Sequence, residues 1–365
     1  ALFVVAGTQY GLQLAPDAVI TIEAWSPQEL HDLGMEGHST TGLDLVGKES
    51  LVRLAGSEAS GEDVLTYLWT ITAPGGGTVA PDVQGEMRMT FRPPETGVYT
   101  VQLDITTASG ASSTSVNITA AEFVGVGSIA GATPSFAEGQ CAACHPGNTA
   151  DWAATGHADM FERGIEGIAS SHYGEGCIEC HTLGYDESAG NGGFDDVAEE
   201  LGWAFPSHPQ AGEWQNIVDN FAPLAQLANI QCENCHGPGS LHKGNPAGTR
   251  VDVRTGVCAT CHDEEPYHRR PAMWKNSKHA TGESFARGGS TSCAKCHSTY
   301  GFIAAVDPLS DLDQKVGTGE GVECAACHDP HDVTNPNQLR KISDVELADG
   351  TVISWGGTGK LCMNC

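Results

Sequence analysis

The placement of cysteine constrains this 365-residue chain more than any other feature. All 14 cysteines form C-x-x-C pairs, numbered motifs 1 to 7 below, and none precedes residue 141. A histidine directly follows each of the first six pairs. The pairs are Cys141 and Cys144, Cys177 and Cys180, Cys232 and Cys235, Cys258 and Cys261, Cys293 and Cys296, Cys324 and Cys327, and Cys362 and Cys365. Such regularity indicates one kind of site used seven times.

C-x-x-C-H is the attachment sequence of haem c. The two thiols form thioether bonds to one haem, and the adjacent histidine supplies a neutral imidazole to the iron. The predicted proximal ligands are His145, His181, His236, His262, His297 and His328. The pattern therefore predicts seven haem c groups. The seventh motif lacks its histidine because the sequence stops at Cys365. We expect the chain to continue; the alternative is that the last pair is not a normal haem site.

Two other uses of paired cysteines explain the pattern less well. Zinc knuckles use C-x-x-C pairs in tetrahedral sites, but zinc does not require a histidine after every second cysteine. Disulfide-rich scaffolds do not place every cysteine in C-x-x-C, and redox C-x-x-C motifs rarely occur seven times in one chain.

The remaining histidines supply candidates for the opposite side of each iron. Seven of them lie within residues 141–365, outside the motifs, which matches the number of predicted haems. These distal candidates are His157, His172, His208, His242, His268, His279 and His331. The count predicts bis-His coordination, but the sequence does not assign each ligand to a haem. His31 and His38 precede the motifs and are either exposed loop residues or ligands to a haem of a neighbouring protomer.

The motif region contains an internal repeat. Motifs 1 and 4 are each followed by Trp-x4-His-Ala, at Trp152 and Trp274, and motifs 3 and 6 by a close second histidine, His242 and His331. A three-motif unit used twice and followed by a seventh motif fits this pattern. We expect the Trp-x4-His segments to lie on short helices that present the histidine to a haem.

Residues 141–365 are expected to form a heptahaem domain of mostly loops with short α-helices. This region has few residues for each of its seven motifs, so porphyrin should supply most of the apolar interior. Gly- and Pro-rich links at 237–239 and 308–311 agree with this expectation. Residues 123–140, rich in small residues, are predicted to be a linker.

The cysteine-free part is predicted to be all-β. Residues 99–105 alternate between apolar and polar side chains, which is typical of a half-buried strand, and further strands are predicted at 64–71 and around Val116 and Ile118. Short alternating strands at such intervals favour a β-sandwich. Residues 1–45 are predicted to be a β-rich segment that becomes loop-like near His31 and His38.

Two stretches of the chain resemble known families. Residues 46–122 resemble the PKD-type immunoglobulin-like domain at Leu54–Ser57, Tyr67–Trp69 and Gly97–Leu103, which implies a spacer or adhesion module without catalysis. Residues 141–365 resemble the multihaem c-type cytochromes of respiratory and extracellular electron transfer, through the six complete motifs and the Trp-x4-His segments. That resemblance implies export from the cytoplasm, and some members polymerise into conductive filaments.

Electron transfer is the function these observations favour, because bis-His irons leave no open position for a substrate. The alternative is a reductase of nitrite, hydroxylamine or a sulfur oxyanion, with one open haem. A third interpretation is an adhesin with a haem-bearing tail.

The formal net charge of −28 disfavours nucleic acid as a partner, and no apolar run is long enough to span a bilayer. The expected partners are redox proteins or extracellular electron acceptors, and further copies of the chain in a filament. Acidity would make such assembly salt-sensitive. The expected location is extracellular or on the cell surface, and otherwise periplasmic.

Overall fold

A computed structural model describes residues 15–35, 37–245, 253–266, 268–281, 291–306, 321–347 and 349–365. Among the described residues, the cysteine-free part contains ten strands and one α-helix. In chain order these are β1 Ala18–Ile22, β2 Ala24–Trp25, α1 Pro27–Asp32, β3 Thr40–Thr41, β4 Leu45–Gly47, β5 Val52–Glu58, β6 Thr66–Thr72, β7 Thr78–Val79, β8 Arg88–Phe91, β9 Gly97–Thr106 and β10 Ala111–Ala121.

Two sheets enclose one core in this β region. One sheet has the order β4-β10-β9-β6-β7 and the other β1-β5-β8; every pairing is antiparallel except that of β4 with β10. The predicted alternation in β9 is confirmed, because Tyr99, Val101, Leu103 and Ile105 are all buried. They pack with residues of both sheets, including Trp69, which is 1% exposed.

A tyrosine corner closes one end of this core. The Tyr99 hydroxyl donates a hydrogen bond to the Glu95 carbonyl (2.9 Å) and accepts one from the Glu95 amide (3.0 Å). A buried tyrosine bonded to the backbone a few residues upstream is a feature of immunoglobulin-like sandwiches.

The first 45 residues contribute directly to the sandwich. The described part of the predicted β-rich segment contains β1, which pairs with β5 from Ala18 opposite Glu58 to Ile22 opposite Leu54. The loop expected near His31 is instead helix α1, whose amino end is capped by Ser26 and Glu29 in a capping box. The boundary between a segment of residues 1–45 and a sandwich of residues 46–122 stays a prediction.

The motif region has short helices, as predicted, and very short strands, which were not predicted. The described elements are α2 Pro146–Ala153, α3 Met160–Ile165, α4 Ile178–His181, α5 Phe194–Leu201, α6 Glu213–Asn220, α7 Ala222–Ala225, α8 Cys232–His236, α9 Thr255–His262, β11 Asp263–Glu264, β12 His268–Arg269, α10 Arg270–Lys275, α11 Lys278–Thr281, α12 Thr291–His297, α13 Thr299–Val306, α14 Cys324–Cys327, β13 Val345–Glu346 and β14 Val352–Ile353. The predicted loop at 308–311 lies outside the described residues. None of the described helices is long and apolar enough to cross a membrane.

Side chains from the chain between motifs 1 and 3, rather than cofactor alone, build an apolar core. Phe161, Phe194, Ile217 and Leu224 are each at most 1% exposed and lie in one cluster. This departs from the expectation of a mainly porphyrin interior. The chain between motifs 2 and 3 is longer than that between motifs 5 and 6, and the extra length carries α5, α6 and α7.

The β region contacts the motif region directly. The Ser26 hydroxyl donates a hydrogen bond to the Asp263 carboxylate at 2.8 Å, next to motif 4. Arg254 donates to the Gly42 carbonyl at 2.9 Å. These bonds fix the amino-terminal segment against helix α9, which carries motif 4.

Candidate functional site

Helical turns give each motif one shared face. Motifs 2 to 6 lie on or at the starts of α4, α8, α9, α12 and α14, and motifs 1 and 7 lie on 3-10 turns. Residues three and four positions apart share a helix face, so both cysteines and the following histidine of one motif point to the same side. All 14 cysteines lie in the described part of the chain, and each is a free thiol.

Two pairs of nearly parallel histidine rings have the spacing expected around one iron. The ring centroids are 6.4 Å apart for His145 and His242, and 6.1 Å apart for His236 and His331. Two imidazoles whose nitrogens each bond one metal ion at about 2 Å have centroids about 6 Å apart. Each pair joins a predicted proximal ligand to a predicted distal candidate.

His262 of motif 4 has two candidate partners. Its ring centroid lies 6.1 Å from that of His157 and 5.7 Å from that of His268. His157 lies just beyond the end of α2, which carries Trp152, while His268 lies on β12, close to motif 4 in sequence. Both were predicted as distal candidates, and the spacing alone allows either.

Hydrogen bonds orient several of these imidazoles. Nδ1 lies 2.8 Å from the Asn245 carbonyl in His242, and 2.8 Å from the Asn337 carbonyl in His328. A carbonyl only accepts, so each Nδ1 carries the proton and Nε2 keeps its lone pair for a metal. Such outer bonds fix the tautomer and direction of metal-binding histidines.

His181 of motif 2 is held by a tyrosine. The Tyr173 ring stacks on it with a centroid distance of 5.5 Å, and the Tyr173 hydroxyl lies 3.2 Å from its Nδ1. Burial, followed by repulsion from His268, His262 and His157, lowers the pKa of His181 to about 4. Burial and the neighbouring His157 likewise lower the pKa of His262 to about 4. These imidazoles are therefore neutral at physiological pH, as an iron ligand must be.

The donor set fits haem c. Paired thiols and an imidazole share a face in each complete motif, and a second imidazole stands opposite that of motifs 1, 3 and 4. The fit is one of chemistry and spacing, because two nitrogen donors at about 6 Å between ring centroids suit a metal bound from two opposite sides.

The other predicted ligands occupy varied positions. His172, His208 and His279 are exposed, and His297 is half-buried at the end of α12. Within the described residues, the ring of His208 has no aromatic neighbour close enough to form a pair. The role of all four as haem ligands stays a prediction.

His31 and His38 differ in their surroundings. His31 is exposed on α1, and its Nδ1 lies 3.6 Å from the Asp32 carboxylate. His38 lies 3.4 Å from Asp186, in the same chain. It lines a cleft between the β region and motifs 2 and 4, together with Cys180 and Cys261. Their use by a neighbouring protomer stays a prediction.

One buried carboxyl group beside a motif was not predicted from the sequence. Glu233 lies between the cysteines of motif 3, is 4% exposed and accepts hydrogen bonds from the amides of Val124, Gly125 and Gly239. Burial raises its pKa to about 7, even though these donors favour the charged form. Its position within C-E-N-C carried no signal, because the two residues between motif cysteines vary freely here.

Comparisons with known proteins bear on the motif region. Residues 140–202 match the family described as cytochrome c554 and c-prime. The multiheme cytochrome MtrA of Shewanella baltica is 23% identical over 148 residues, covering 32% of this chain and 40% of that relative. The chain thus spans two fifths of the length of this curated relative.

Two solved structures resemble part of the chain. The PKD1 domain of the Vibrio cholerae metalloprotease PrtV is 17% identical and covers 29% of this chain and 98% of its own, with a TM-score of 0.18. The PKD domain of the human receptor SorCS2 is 14% identical and covers 33% of this chain and 89% of its own, with a TM-score of 0.19. The β region is a sandwich by its own strand order and its buried core. The motifs and the sequence matches together support a multihaem c-type cytochrome.

Proposed function

We propose that this protein carries electrons through seven haem c groups held by its seven motifs. The observation that carries the proposal is the spacing of the imidazole pairs, His145 with His242 and His236 with His331. A metal bound from both sides has no position for a substrate. Bound haem supplies an iron that alternates between the ferric and ferrous states.

The chain orients the imidazole ligands, sets the spacing of the attachment points and keeps other ligands away from the metal. The Tyr173 and Asn337 contacts fix imidazole rings, and burial keeps His181 and His262 neutral. Attachment points also meet: the Cys261 thiol donates a hydrogen bond to the Cys180 carbonyl at 3.7 Å, which brings motifs 2 and 4 together. Contacting attachment points favour short steps between neighbouring cofactors.

Haem stoichiometry followed by reductive titration tests this proposal. We expect intact-mass measurement to show one covalent haem per motif and titration to take up one electron per haem. The paired change Cys141→Ala and Cys144→Ala should remove one haem and one electron. A matched Ser112→Ala and Ser113→Ala pair in the β region should remove neither. Covalent haem that takes up no electrons would contradict the proposal.

A reductase remains the alternative, and motif 2 is where the structure points to it. The cleft lined by Cys180 opens beside this motif. Nitrite or hydroxylamine that shifts the absorption spectrum of one haem per chain would favour the reductase.

We further propose export and end-to-end assembly into a filament. Export is supported by the extracytoplasmic setting that the cytochrome resemblance implies. Assembly is supported by the surface near motif 7, where Val352 and Trp355 are 59% and 68% exposed. Exposed apolar side chains clustered near a redox site are typical of contact surfaces. Electron micrographs that show only monomers at high protein concentration would contradict assembly.

A further inference from the structure

The distal candidate that faces motif 3 comes from the chain just after motif 6. His331 follows the motif histidine His328 by three residues, and its ring stacks on that of His236 with an angle of 11° between the planes. One short segment therefore carries a predicted proximal ligand of motif 6 and a candidate distal ligand of motif 3. The groups that hold this segment decide how the His331 ring is presented.

The Asp329 carboxylate lies against both the backbone and the ring of His331. Its Oδ1 accepts a hydrogen bond from the His331 amide at 3.0 Å and lies 3.5 Å from the His331 Nδ1. Pro330, between the two residues, has a fixed φ and restricts Asp329 to an extended backbone, so the sequence itself favours this turn. Because Nδ1 faces the carboxylate, Nε2 is the nitrogen left to bind a metal.

An arginine fixes the carboxylate in turn. The Arg340 Nη1 donates to the Asp329 Oδ2 at 2.7 Å, and the Arg340 Nε donates to the Ala325 carbonyl at 2.7 Å. The Arg340 amide also donates to the Cys327 carbonyl at 3.0 Å. Only 13% of the Arg340 side chain is exposed, so solvent screens this ion pair little. Arg340 therefore ties Asp329 to the backbone of motif 6.

Backbone pairing sets the place at which the two charged residues meet. The Asp329 amide donates to the Gln338 carbonyl at 2.7 Å, and His328 forms an antiparallel bridge with Leu339. The residue after this bridge is Arg340. The ion pair is thus built into the arrangement of the main chain beside motif 6.

The carboxylate distinguishes His331 from two other predicted ligands. Nδ1 of His242 and Nδ1 of His328 each face a neutral backbone carbonyl at 2.8 Å. At His331 the near oxygen belongs to a charged carboxylate, and the Arg340 cation is bound to the far oxygen. The His331 ring therefore faces the negative end of the ion pair. A carboxylate in this position raises the basicity of an imidazole ligand.

We propose that Asp329 is a positioning residue that holds His331 toward the iron of motif 3 and, through it, favours the ferric state of that iron. A nearby negative charge stabilises the more positive ferric state, and hydrogen bonding around the axial ligand is one of the means by which proteins set a haem potential. The inference deepens the proposed function and rests on it, because this site matters as one step of an electron pathway.

The arrangement has two consequences for electron transfer. An electron on the iron of motif 3 leaves more readily than it would if a neutral group faced His331. The contacts of Arg340 with Ala325 and Cys327 also attach the ligand of one motif to the backbone of another, which fixes motif 3 relative to motif 6.

A redox titration of the haem-loaded full chain, followed by electron paramagnetic resonance, tests the inference. Asp329→Asn keeps an oxygen for the His331 amide but removes the negative charge. One haem should then accept its electron at a higher potential, with its ferric-to-ferrous ratio at a fixed potential lowered about tenfold. The other haems should keep their potentials, and all complete motifs should stay low-spin because His331 remains bound.

Arg340→Gln separates a charge effect from a structural one. It leaves the Asp329 charge without its cation, so the same haem should shift to a lower potential, opposite to the shift in Asp329→Asn. Shifts of the same sign in both variants would show a structural disturbance and would overturn the inference.

Two matched variants identify the haem and control for net charge. His331→Ala should remove one low-spin signal, and that signal should be the one whose potential Asp329→Asn raises. Asp332→Asn removes the same charge three positions along the chain, where the carboxylate accepts from the Thr334 amide and hydroxyl. It should leave every potential unchanged.

Two results would overturn the inference and leave electron transfer standing. One is an unchanged set of potentials in Asp329→Asn, and the other is an equal shift in Asp332→Asn. Failure of the proposed function is distinguishable from both, because it would appear in the wild type as a chain without covalent haem or as haem that takes up no electrons.

Discussion

The Glu233 carboxylate lies 2.7 Å from the amide nitrogen of Gly125 and accepts its hydrogen bond. The contact ties the segment after β10 to motif 3. Glu233 also accepts from Val124 and Gly239, so one buried side chain joins three backbone segments next to a haem attachment site.

Glu233→Gln should destabilise the protein by about 1–3 kcal/mol, because the amide turns a donor toward amides that need an acceptor. The pH dependence has a definite sign. The folded-state pKa of Glu233 is raised to about 7, so the folded protein binds this proton more tightly than the unfolded chain does. The stability that comes from this tighter proton binding is complete below the unfolded pKa of about 4 and is lost as the pH rises through about 7.

Urea unfolding of both proteins at pH 4 to 8 measures this slope. The slope of unfolding free energy against pH should be less negative in Glu233→Gln than in the wild type between about pH 4 and 7. Glu138→Gln, an exposed change near the same segment, is the control and should keep the wild-type slope. Equal slopes in all three proteins would refute the assignment.

His242→Ala should remove one axial ligand, because the His242 ring faces that of His145 at a centroid distance of 6.4 Å. We expect one iron per chain to become high-spin in the oxidised protein, with the other irons unaffected. Absorption and magnetic circular dichroism detect the change. His31→Ala in unassembled protein is the control, since that side chain is exposed on α1. A low-spin spectrum in His242→Ala would assign the ligand elsewhere.

Tyr99→Phe should weaken the β region by about 1 kcal/mol, because it removes the hydroxyl that bonds both backbone groups of Glu95. Hydrogen exchange of the β9 amides in the full chain should then speed up. Tyr67→Phe on β6, which alters a half-buried ring outside the corner, should change exchange much less. An unchanged β9 in Tyr99→Phe would show that the corner contributes nothing.

Trp355→Ser should weaken self-association, because it removes an exposed apolar ring near motif 7. Ile168→Ser is a matched control, since that side chain is 67% exposed but distant in sequence. Light scattering should also show stronger assembly at high salt or low pH, where the charge of −28 is screened or reduced. Assembly that responds to neither salt nor pH would contradict the electrostatic account.

Local patterns predicted local structure well. The alternation of Tyr99, Val101, Leu103 and Ile105 correctly predicted a strand with one buried face, and the short motif helices were expected as well. The helix at His31 was not predicted, although Ser26 and Glu29 have the spacing of a capping box, which is a signal for the start of a helix.

Long-range contacts could not be predicted from the sequence. The facing of His145 and His242, and of His236 and His331, depends on how distant helices pack, which no periodicity encodes. The bond from Ser26 to Asp263 joins residues that lie 237 positions apart. The internal repeat was visible in sequence, but only tertiary contacts show which motif meets which.

The central claim is that every complete motif holds an iron closed to substrate. Electron paramagnetic resonance of the fully oxidised protein with Cys362→Ala and Cys365→Ala tests it most directly, because these changes remove the motif that no histidine follows in this sequence. The account predicts six irons per chain, all low-spin and unchanged by nitrite. A high-spin ferric signal amounting to one iron per chain would contradict it.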